Sequence, residues 1–351
     1  MRFSIYSELQ SWPGKSYEQL YGEVLEQMVN ADRLGYDVYA AIEHVFFPKF
    51  SASANVFGLF GMAAARTSRI RFRAMLHVLP YHNPLVLAAM IHEFSLLTGA
   101  RYEFGVGRGH GWIPLAAGLP LDETSRERYE EALDLFVEAL RHDVVSFHGK
   151  YWDVEQSHVV PFSGHRFRVI LGGTSDRTYD LAAQNGWGVA VPPLLPYSAL
   201  KDQLDLYRSK CREHGTSPDI VWIHACYLDE DRAVARREAE RHMRGFLEGN
   251  ASPLTDHPPL PADRLDAAGY GFYSSGIMER LAAMPYDEMI DGDVVWVGTP
   301  EDVVERVRET IAVCEGLTEI AITTNPGGAE HWKAVKAQEL FARQVAPRFR
   351  A

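Results

Sequence analysis

The sequence contains few cysteines and no long apolar run. Its three cysteines, Cys211, Cys226 and Cys314, are scattered through 351 residues without the CxxC spacing of zinc or redox motifs. A disulfide framework and a zinc site are therefore not expected. The first residues lack the apolar core of a signal peptide, and no later segment has the length and hydropathy of a membrane span. These features favour a soluble protein of the reducing cytoplasm.

Basic residues are scarce relative to acidic ones. Lysine and arginine total 35 against 47 aspartates and glutamates, which gives a formal net charge of −12. Nucleic acids and anionic membranes are bound by basic surfaces, so neither is an expected partner. This balance still leaves room for a local arginine that binds one phosphate group. The hydrophobic fraction of 46% is typical of a soluble globular enzyme.

The chain does contain a regular alternation of strand-like and helix-like segments. Short apolar runs alternate with segments of helical periodicity along nearly its whole length. We predict strands at residues 2–7, 37–42, 70–76, 101–106, 168–171, 187–191, 220–228 and 319–323. About eight strand–helix pairs predict an α/β protein, a single (β/α)8 TIM barrel over residues 1–351.

Four local patterns refine this prediction. Gly35 is placed to end the first long helix as a left-handed cap, and Thr124 with Glu127 forms a capping-box pattern that predicts a helix start. Residues 144–165 predict a hairpin-like excursion. Residues 249–293, rich in proline and glycine, interrupt the alternation, and we predict an irregular insertion over the barrel mouth.

Glu43 and His44 follow the second predicted strand, Asp37 to Ile42. Loops at the carboxyl ends of barrel strands build the active site in this fold. His44 is able to exchange a proton near neutral pH, which makes it a candidate acid–base residue. The alternative is a histidine that only hydrogen-bonds a neighbouring loop.

Two glycine-containing segments follow the fourth and fifth predicted strands. In the first, Gly105 to Gly111, glycines such as Gly109 allow close backbone approach, and Arg108 offers a bidentate fork for phosphate. In the second, Thr174, Ser175 and Thr178 lie at a predicted helix N-terminus, where free N–H groups favour an anion. A plain glycine-rich turn and an ordinary helix cap are the alternatives. Because the two strands are neighbours in a barrel, the segments together predict a phosphate clamp.

His77 and His82 lie near the loop that follows the third predicted strand. Both are potential ligands, but no histidine and acidic residues nearby have the helical spacing of a metal motif. No metal is therefore expected.

Several segments, in this order and spacing, resemble the bacterial luciferase-like monooxygenase family of flavin-dependent barrels. They are EHVF at 43–46, RIRF at 69–72, LPYHNP at 79–84, LLTGARYEFGVGRG at 96–109, SRERYEEAL at 125–133, FHGKYW at 147–152 and VGTPE at 297–301. Singly each is a weak signal, whereas together they are a strong one that runs along nearly the whole chain.

The resemblance implies FMN bound at the carboxyl end of the barrel. By position, Arg108 matches the family's phosphate-binding arginine, and the hydroxyl residues of the second segment match its contacts at the helix N-terminus: Thr174, Ser175 and Thr178. Met75 and Leu76 fall where the family often carries a non-prolyl cis peptide beneath the flavin ring. His44 matches the first histidine of the family's Glu-His-His pattern.

Two departures from the family pattern bear on the chemistry. Val45 replaces the second histidine, and Gly107 stands where the luciferase α-subunit has a reactive cysteine. A role that needs both histidines is therefore unsupported.

The resemblance implies a two-component monooxygenase. Reduced FMN would come from a separate flavin reductase, since the chain has no nicotinamide-binding fingerprint, and O2 would oxygenate a small, largely apolar substrate. The family also implies a homodimer. The alternatives are a deazaflavin-dependent dehydrogenase on the same barrel and a flavin-binding protein without catalysis.

Overall fold

Eight parallel strands close into a barrel, as the sequence predicted. The computed structural model describes residues 1–172, 175–193, 195–256, 260–271 and 276–350. The barrel strands follow one another around the wall in the order β1, β2, β3, β4, β7, β8, β9 and β11, and β11 pairs with β1. The strands are β1 (Arg2–Ser7), β2 (Val38–Ala41), β3 (Arg71–Val78), β4 (Tyr102–Gly107), β5 (Val144–His148), β6 (Asp153–His158), β7 (Val169–Gly172), β8 (Gly188–Val191), β9 (Ile220–Leu228), β10 (Val295–Gly298) and β11 (Leu317–Thr323).

Helices cover the outside of the barrel and part of its carboxyl end. They are α1 (Tyr17–Leu34), α2 (Val56–Ala64), α3 (Pro84–Leu97), α4 (Trp112–Ala116), α5 (Thr124–Arg141), α6 (Asp176–Asn185), α7 (Tyr197–His214), α8 (Arg232–Thr255), α9 (Ala262–Ala267), α10 (Ile277–Ala282), α11 (Tyr286–Asp291), α12 (Pro300–Val313) and α13 (His331–Leu340). Gly35 ends α1 with φ of 84°, as predicted. Among the described residues, no helix combines the length and low polarity needed to cross a membrane.

The barrel interior is layered because alternate residues of each strand point inward. Near the amino ends, Arg73 is fully buried and forms ion pairs with Glu103 and Glu319. Above this charged layer lies an apolar one that includes Tyr6, Met75, Ile170, Val221 and Ala321. The charged layer fills the amino end of the barrel, so the space for a ligand lies at the carboxyl end.

The predicted capping box at Thr124 is wrong. Helix α5 does begin at Thr124, but Glu123 precedes it without a side-chain cap. The backbone N–H and hydroxyl of Thr124 instead donate to Asp122 Oδ1, at 2.9 and 2.7 Å. An Asx-type turn at Asp122 therefore fixes the chain that enters this helix, because its carboxylate accepts from the first helical residue.

The predicted insertion begins later than residue 249. Helix α8 continues through Pro253 to Thr255. Proline has no N–H to donate to the carbonyl of Gly249, four residues earlier. The hydroxyl of Ser252 donates to that carbonyl at 2.7 Å, which keeps it satisfied and lets the helix continue.

Strand β10 was not predicted from the sequence. Strand β10 lies parallel to β9, with Val295 opposite Ala225 and Gly298 opposite Leu228. Strand β8 pairs with the first part of β9, from Ile220 to Trp222. The predicted hairpin at 144–165 is confirmed as the antiparallel pair β5 and β6.

Candidate active site

A cavity of about 340 Å³ opens at the carboxyl ends of the barrel strands. Its wall takes residues from the ends of successive strands: Glu8 after β1, His44 after β2, Leu76 in β3, Arg108 after β4 and Ser175 after β7. The sequence-predicted residues His44, Met75, Leu76, Arg108, Gly109, Ser175 and Thr178 all line this cavity. Thr174, the remaining one, lies outside the described residues.

His44 is held in an aromatic shell. Its backbone exchanges two hydrogen bonds with Ser53, at 2.8 and 3.2 Å, which fixes the loop after β2. The imidazole ring stacks on His110 and meets the edge of Phe50 at 4.4 Å between centroids. Burial lowers the pKa of His44 to about 3, and nearby Glu43 offsets this only in part. The ring is therefore neutral at physiological pH, and its Nδ1 has no hydrogen-bond partner among the described residues.

The side chain of Glu43 holds the turn after β3 in place and does not hold the side chain of His44. Its carboxylate accepts hydrogen bonds from the backbone N–H of Val78 and from His82, both at 3.0 Å. Burial tends to raise the pKa of Glu43, but hydrogen bonds and charge interactions with His77 and His82 hold it well below its usual range. Glu43 is thus an ionised buried carboxylate that ties β2 to the loop after β3.

Glu43, His77 and His82 bring three atoms of metal-ligand type within 4.8 Å of one another. Spacing along the chain did not indicate this grouping. Direct contacts account for it, since His82 Nε2 is 3.0 Å and His77 Nδ1 is 3.5 Å from the Glu43 carboxylate. The other nitrogen of His77 lies 2.7 Å from the Tyr102 hydroxyl. The hydrogen bond from His82 and the close approach of His77 to the carboxylate therefore explain the cluster.

Leu76 occupies space that two glycines leave open. The Met75–Leu76 peptide bond is cis, at the position that the resemblance indicated. A Cβ atom at Gly172 would lie 2.4 Å from Leu76 Cδ2, and one at Gly107 would lie 2.9 Å from the same atom. Side chains at either position would displace Leu76, so the glycines on β4 and β7 set the shape of the cavity floor.

Arg108 forms contacts that the sequence did not reveal. Its Nη1 donates to the carbonyl of Ala268 at 2.7 Å and its Nη2 to that of Gly269 at 2.6 Å. The guanidinium also lies 4.3 Å from the ring centroid of Tyr270. Arg108 therefore connects the loop after β4 to the segment after α9, while it still lines the cavity.

Ser175 caps helix α6 at the edge of the cavity. Its hydroxyl accepts the backbone N–H of Thr178 at 3.4 Å and lies 3.0 Å from the Thr178 hydroxyl. The N-terminus of a helix of this length carries free N–H groups and a partial positive charge. Arg108 and the α6 terminus thus border the same cavity, as the predicted clamp requires.

Sequence reasoning missed Glu8, which follows β1. Its side chain is buried and lines the cavity. The carboxyl accepts hydrogen bonds from the Tyr6 hydroxyl at 3.2 Å, Gln10 Nε2 at 3.1 Å and Asn250 Nδ2 at 2.9 Å. Burial raises the pKa of Glu8 to about 8, despite these three hydrogen bonds, which lower it. A carboxyl residue directly after an apolar strand was the signal available in the sequence.

The model of one protein family, described as luciferase-like monooxygenase, matches residues 1–313. The chain belongs to the luciferase-like monooxygenase family. It is accordingly an oxidoreductase of a flavin-dependent monooxygenase family. The family resemblance is confirmed, and so is the barrel fold that the alternation of strands and helices predicted.

Individual relatives are distant but cover most of the chain. The alkanal monooxygenase alpha chain of Photobacterium leiognathi is 22% identical over 343 residues, 95% of each chain. The 5,10-methylenetetrahydromethanopterin reductase of Archaeoglobus fulgidus is 22% identical over 302 residues, 84% of this chain and 88% of the relative.

A solved structure shares the fold. It is the oxygenating constituent of 3,6-diketocamphane monooxygenase from Pseudomonas putida, a type II Baeyer-Villiger monooxygenase in complex with FMN. It superposes with a TM-score of 0.79 at 21% identity, over 99% of this chain and 98% of that one.

Proposed function

We propose that this protein is an FMN-dependent monooxygenase that oxygenates a small, largely apolar substrate. The reaction consumes substrate, O2 and reduced FMN and yields oxygenated substrate, water and oxidised FMN. One observation carries the proposal: a single cavity at the carboxyl end of the barrel brings together Arg108, the α6 N-terminus and His44. Reduced FMN, when bound, supplies the electrons that activate O2.

The residues present fit a flavin mononucleotide. The hydroxyls of Ser175 and Thr178 and the N-terminal end of α6 offer donors and a partial positive charge to a phosphate. Arg108 has five N–H donors, and the carbonyls of Ala268 and Gly269 occupy two atoms of its fork, which leaves donors for a phosphate oxygen. Leu76, with Gly107 and Gly172 beside it, provides an apolar surface in the cavity that a ring system can pack against.

His44 acts in this proposal as a neutral imidazole. A pKa of about 3 means that the folded protein holds the ring unprotonated at neutral pH. His44 is therefore suited to orient a hydrogen bond as a neutral imidazole, because a pKa this far below neutral makes it a weak proton acceptor and leaves no imidazolium to act as an acid. The aromatic shell keeps water away from the imidazole ring. Exclusion of water from an active site limits side reactions between water and reactive species.

A separate flavin reductase is the proposed partner. This rests on the absence of a nicotinamide-binding fingerprint in the sequence. The three cysteines are free and buried, which accords with the reducing cytoplasm that we propose as the location. With NADH or NADPH alone we expect no turnover, and with added reductase or photoreduced FMN we expect product.

A homodimer is the proposed assembly. Helices α2 and α3 pack together through Phe57 and Phe94 and expose several apolar side chains, of which Leu97 is 79% exposed. Exposed apolar side chains on adjacent helices favour association. Light scattering of the wild type and of Leu97→Glu tests this, since a dimer through this face would dissociate in the variant.

The proposed reaction is tested with photoreduced FMN, oxygen-18-labelled O2 and a panel of ketones and aldehydes. We expect a product that carries one labelled oxygen atom, and a large loss of that product in His44→Gln with FMN affinity retained. A panel that gives only hydrogen peroxide, with no labelled product, would contradict the proposal.

A second candidate is a deazaflavin-dependent dehydrogenase. It is favoured by a solved structure of the same fold, the coenzyme F420-dependent tetrahydromethanopterin reductase of Methanopyrus kandleri, with a TM-score of 0.72 at 18% identity over 99% of each chain. Titration with FMN and with coenzyme F420 separates the two, because hydride transfer needs no O2. Tight binding of F420 and anaerobic oxidation of an alcohol would favour the second candidate.

A further inference from the structure

We propose that Glu8, together with Tyr6 and Asn250, forms a substrate-recognition site that binds the carbonyl oxygen of an uncharged ketone or aldehyde. The proposal rests on the proposed function for the identity of the reaction, but the binding itself needs neither O2 nor electrons. It adds a specificity-determining group on the opposite side of the site from the phosphate clamp.

The geometry places a polar cluster in an apolar wall. Tyr6, Glu8 and Asn250 all line the cavity, and the carboxyl of Glu8 joins the end of β1 to helix α8 through Asn250. The same cavity is lined by apolar side chains, among them Ile42, Phe50, Met75, Ile223 and Leu254. A cavity of this kind uses a small number of polar groups to orient an otherwise apolar ligand.

The carboxyl of Glu8 has no cation beside it. All three of its hydrogen-bond donors are neutral groups, and no ion pair of the described residues includes Glu8. An ionised carboxylate that is buried without a cation is costly. Burial accordingly raises the pKa of Glu8 to about 8, so the acid form predominates at neutral pH. That form has an O–H that can donate to a carbonyl oxygen, which an ionised carboxylate lacks.

For every other ionisable lining group with a resolved pKa shift, the pKa lies outside the range around pH 8 in which Glu8 titrates. Burial lowers the pKa of His44 to about 3 and raises that of Tyr6 well above 10. Glu43 stays ionised beside His77 and His82. The remaining ionisable lining residues, on the loop after β4, on α5 and after α9, are Arg108, His110, Tyr129 and Tyr270.

A purely structural role for Glu8 is the competing explanation, since it bridges β1 and α8. Gln10 offers a matched control. It donates to the same carboxyl and accepts the Gly327 N–H at 2.9 Å, but it does not line the cavity. Loss of Gln10 weakens the bridge without changing what a ligand contacts.

The test compares two ligands of the same shape, cyclohexanone and methylenecyclohexane, by calorimetric titration of the full-length protein with and without FMN. We expect wild type to bind the ketone about tenfold or more tightly, and Glu8→Leu to lose that preference. Gln10→Leu should keep it. In wild type the preference should fall as pH rises from 6 to 9.5, whereas Glu8→Gln, which keeps an N–H donor, should show a pH-independent one.

Three outcomes would overturn the proposal. One is an unchanged ketone preference in Glu8→Leu. Another is a ketone preference of the wild type that does not vary with pH, a measurement that does not depend on the folding of any variant. The third is tighter binding of cyclohexylamine than of cyclohexanone, which would make Glu8 a carboxylate that binds cations. Failure of FMN binding or of oxygenation would overturn the proposed function and leave these ligand titrations interpretable.

Discussion

His44 and His110 lie nearly parallel, with ring centroids 5.1 Å apart and ring planes inclined by 12°. The stack brings together the loops after β2 and β4, and Phe50 closes one edge of it. A proton on His44 would place a positive charge inside an aromatic shell with little water, so the neutral ring is favoured. The stack therefore contributes both to the position of His44 and to the burial that keeps its ring neutral.

The first prediction concerns stability in acid. The unfolded chain binds a proton at His44 below pH 6.5, whereas the folded chain does so only near pH 3. The contribution of His44 thus makes folding less favourable as pH falls through this window, by at most about 1.4 kcal/mol per pH unit. Urea denaturation at pH 7 and pH 4.5 should show a smaller loss for His44→Gln than for wild type. Equal losses would mean that His44 is solvated.

Glu8 should act in the opposite direction. Its folded pKa of about 8 exceeds the ordinary value of 4.5, so the folded state holds a proton that the unfolded state releases. Stability from this group is full below about pH 4.5 and is lost as pH rises through 8. The free energy of unfolding of Glu8→Gln relative to wild type should therefore increase between pH 5 and pH 9. A difference that stays constant with pH would refute the protonated state.

Arg108 should contribute to FMN affinity through the phosphate. Arg108→Ala is expected to weaken FMN binding about ten- to a hundredfold, the range for a lost charge-assisted hydrogen bond. Riboflavin, which has no phosphate, should lose much less affinity. Arg128→Ala is the control, because Arg128 packs on Tyr151 away from the cavity. An equal loss for FMN and riboflavin would mean that Arg108 acts only through the segment after α9.

Gly172 should not tolerate a side chain, because Leu76 occupies the adjacent space. In Gly172→Ala the new methyl group would collide with Leu76, so we expect weaker flavin binding and lower stability. Gly22→Ala is the control, because Gly22 lies in α1 with nothing within 4 Å of a Cβ atom. That substitution should raise stability by roughly 0.5–1 kcal/mol. Fluorescence titration with FMN and thermal denaturation measure both effects.

Glu319 should be essential to the charged layer of the barrel. Glu319→Gln leaves Arg73 buried with one fewer anion, and we expect a loss of about 3 kcal/mol or more in the free energy of unfolding. Glu305→Gln is the control, because its pair with Arg308 is exposed and should change stability by less than about 0.5 kcal/mol. Similar small losses in both variants would show that Arg73 and Glu103 suffice.

The barrel was predictable because its signals are local. Strand and helix periods and the glycine after α1 each depend on a few neighbouring residues. Strand β10 was missed because four residues from Val295 to Gly298 directly follow the irregular insertion and carry no period of their own. Only their pairing with β9 makes them a strand.

The site was predictable where it follows strand ends, and not where it depends on distant segments. Arg108 was located by its glycine-rich loop, but its contacts with Ala268 and Gly269 join residues about 160 positions apart. Glu8 likewise accepts a hydrogen bond from Asn250, 242 positions later. No local pattern encodes such pairings, so the polar side of the cavity became visible only in the folded chain.

Strand β10 has a consequence for how this architecture diversifies. The chain leaves the barrel wall after β9 and returns to that same strand at Val295, so both ends of the intervening excursion are anchored to one element. The entropic cost of closing a loop rises slowly, by about 0.6 kcal/mol for each doubling of length. The excursion can therefore change in length or sequence at little cost to the stability of the barrel. Selectivity can then evolve there without moving His44, whereas changes at Asn250 or Ala268 act directly on Glu8 and Arg108.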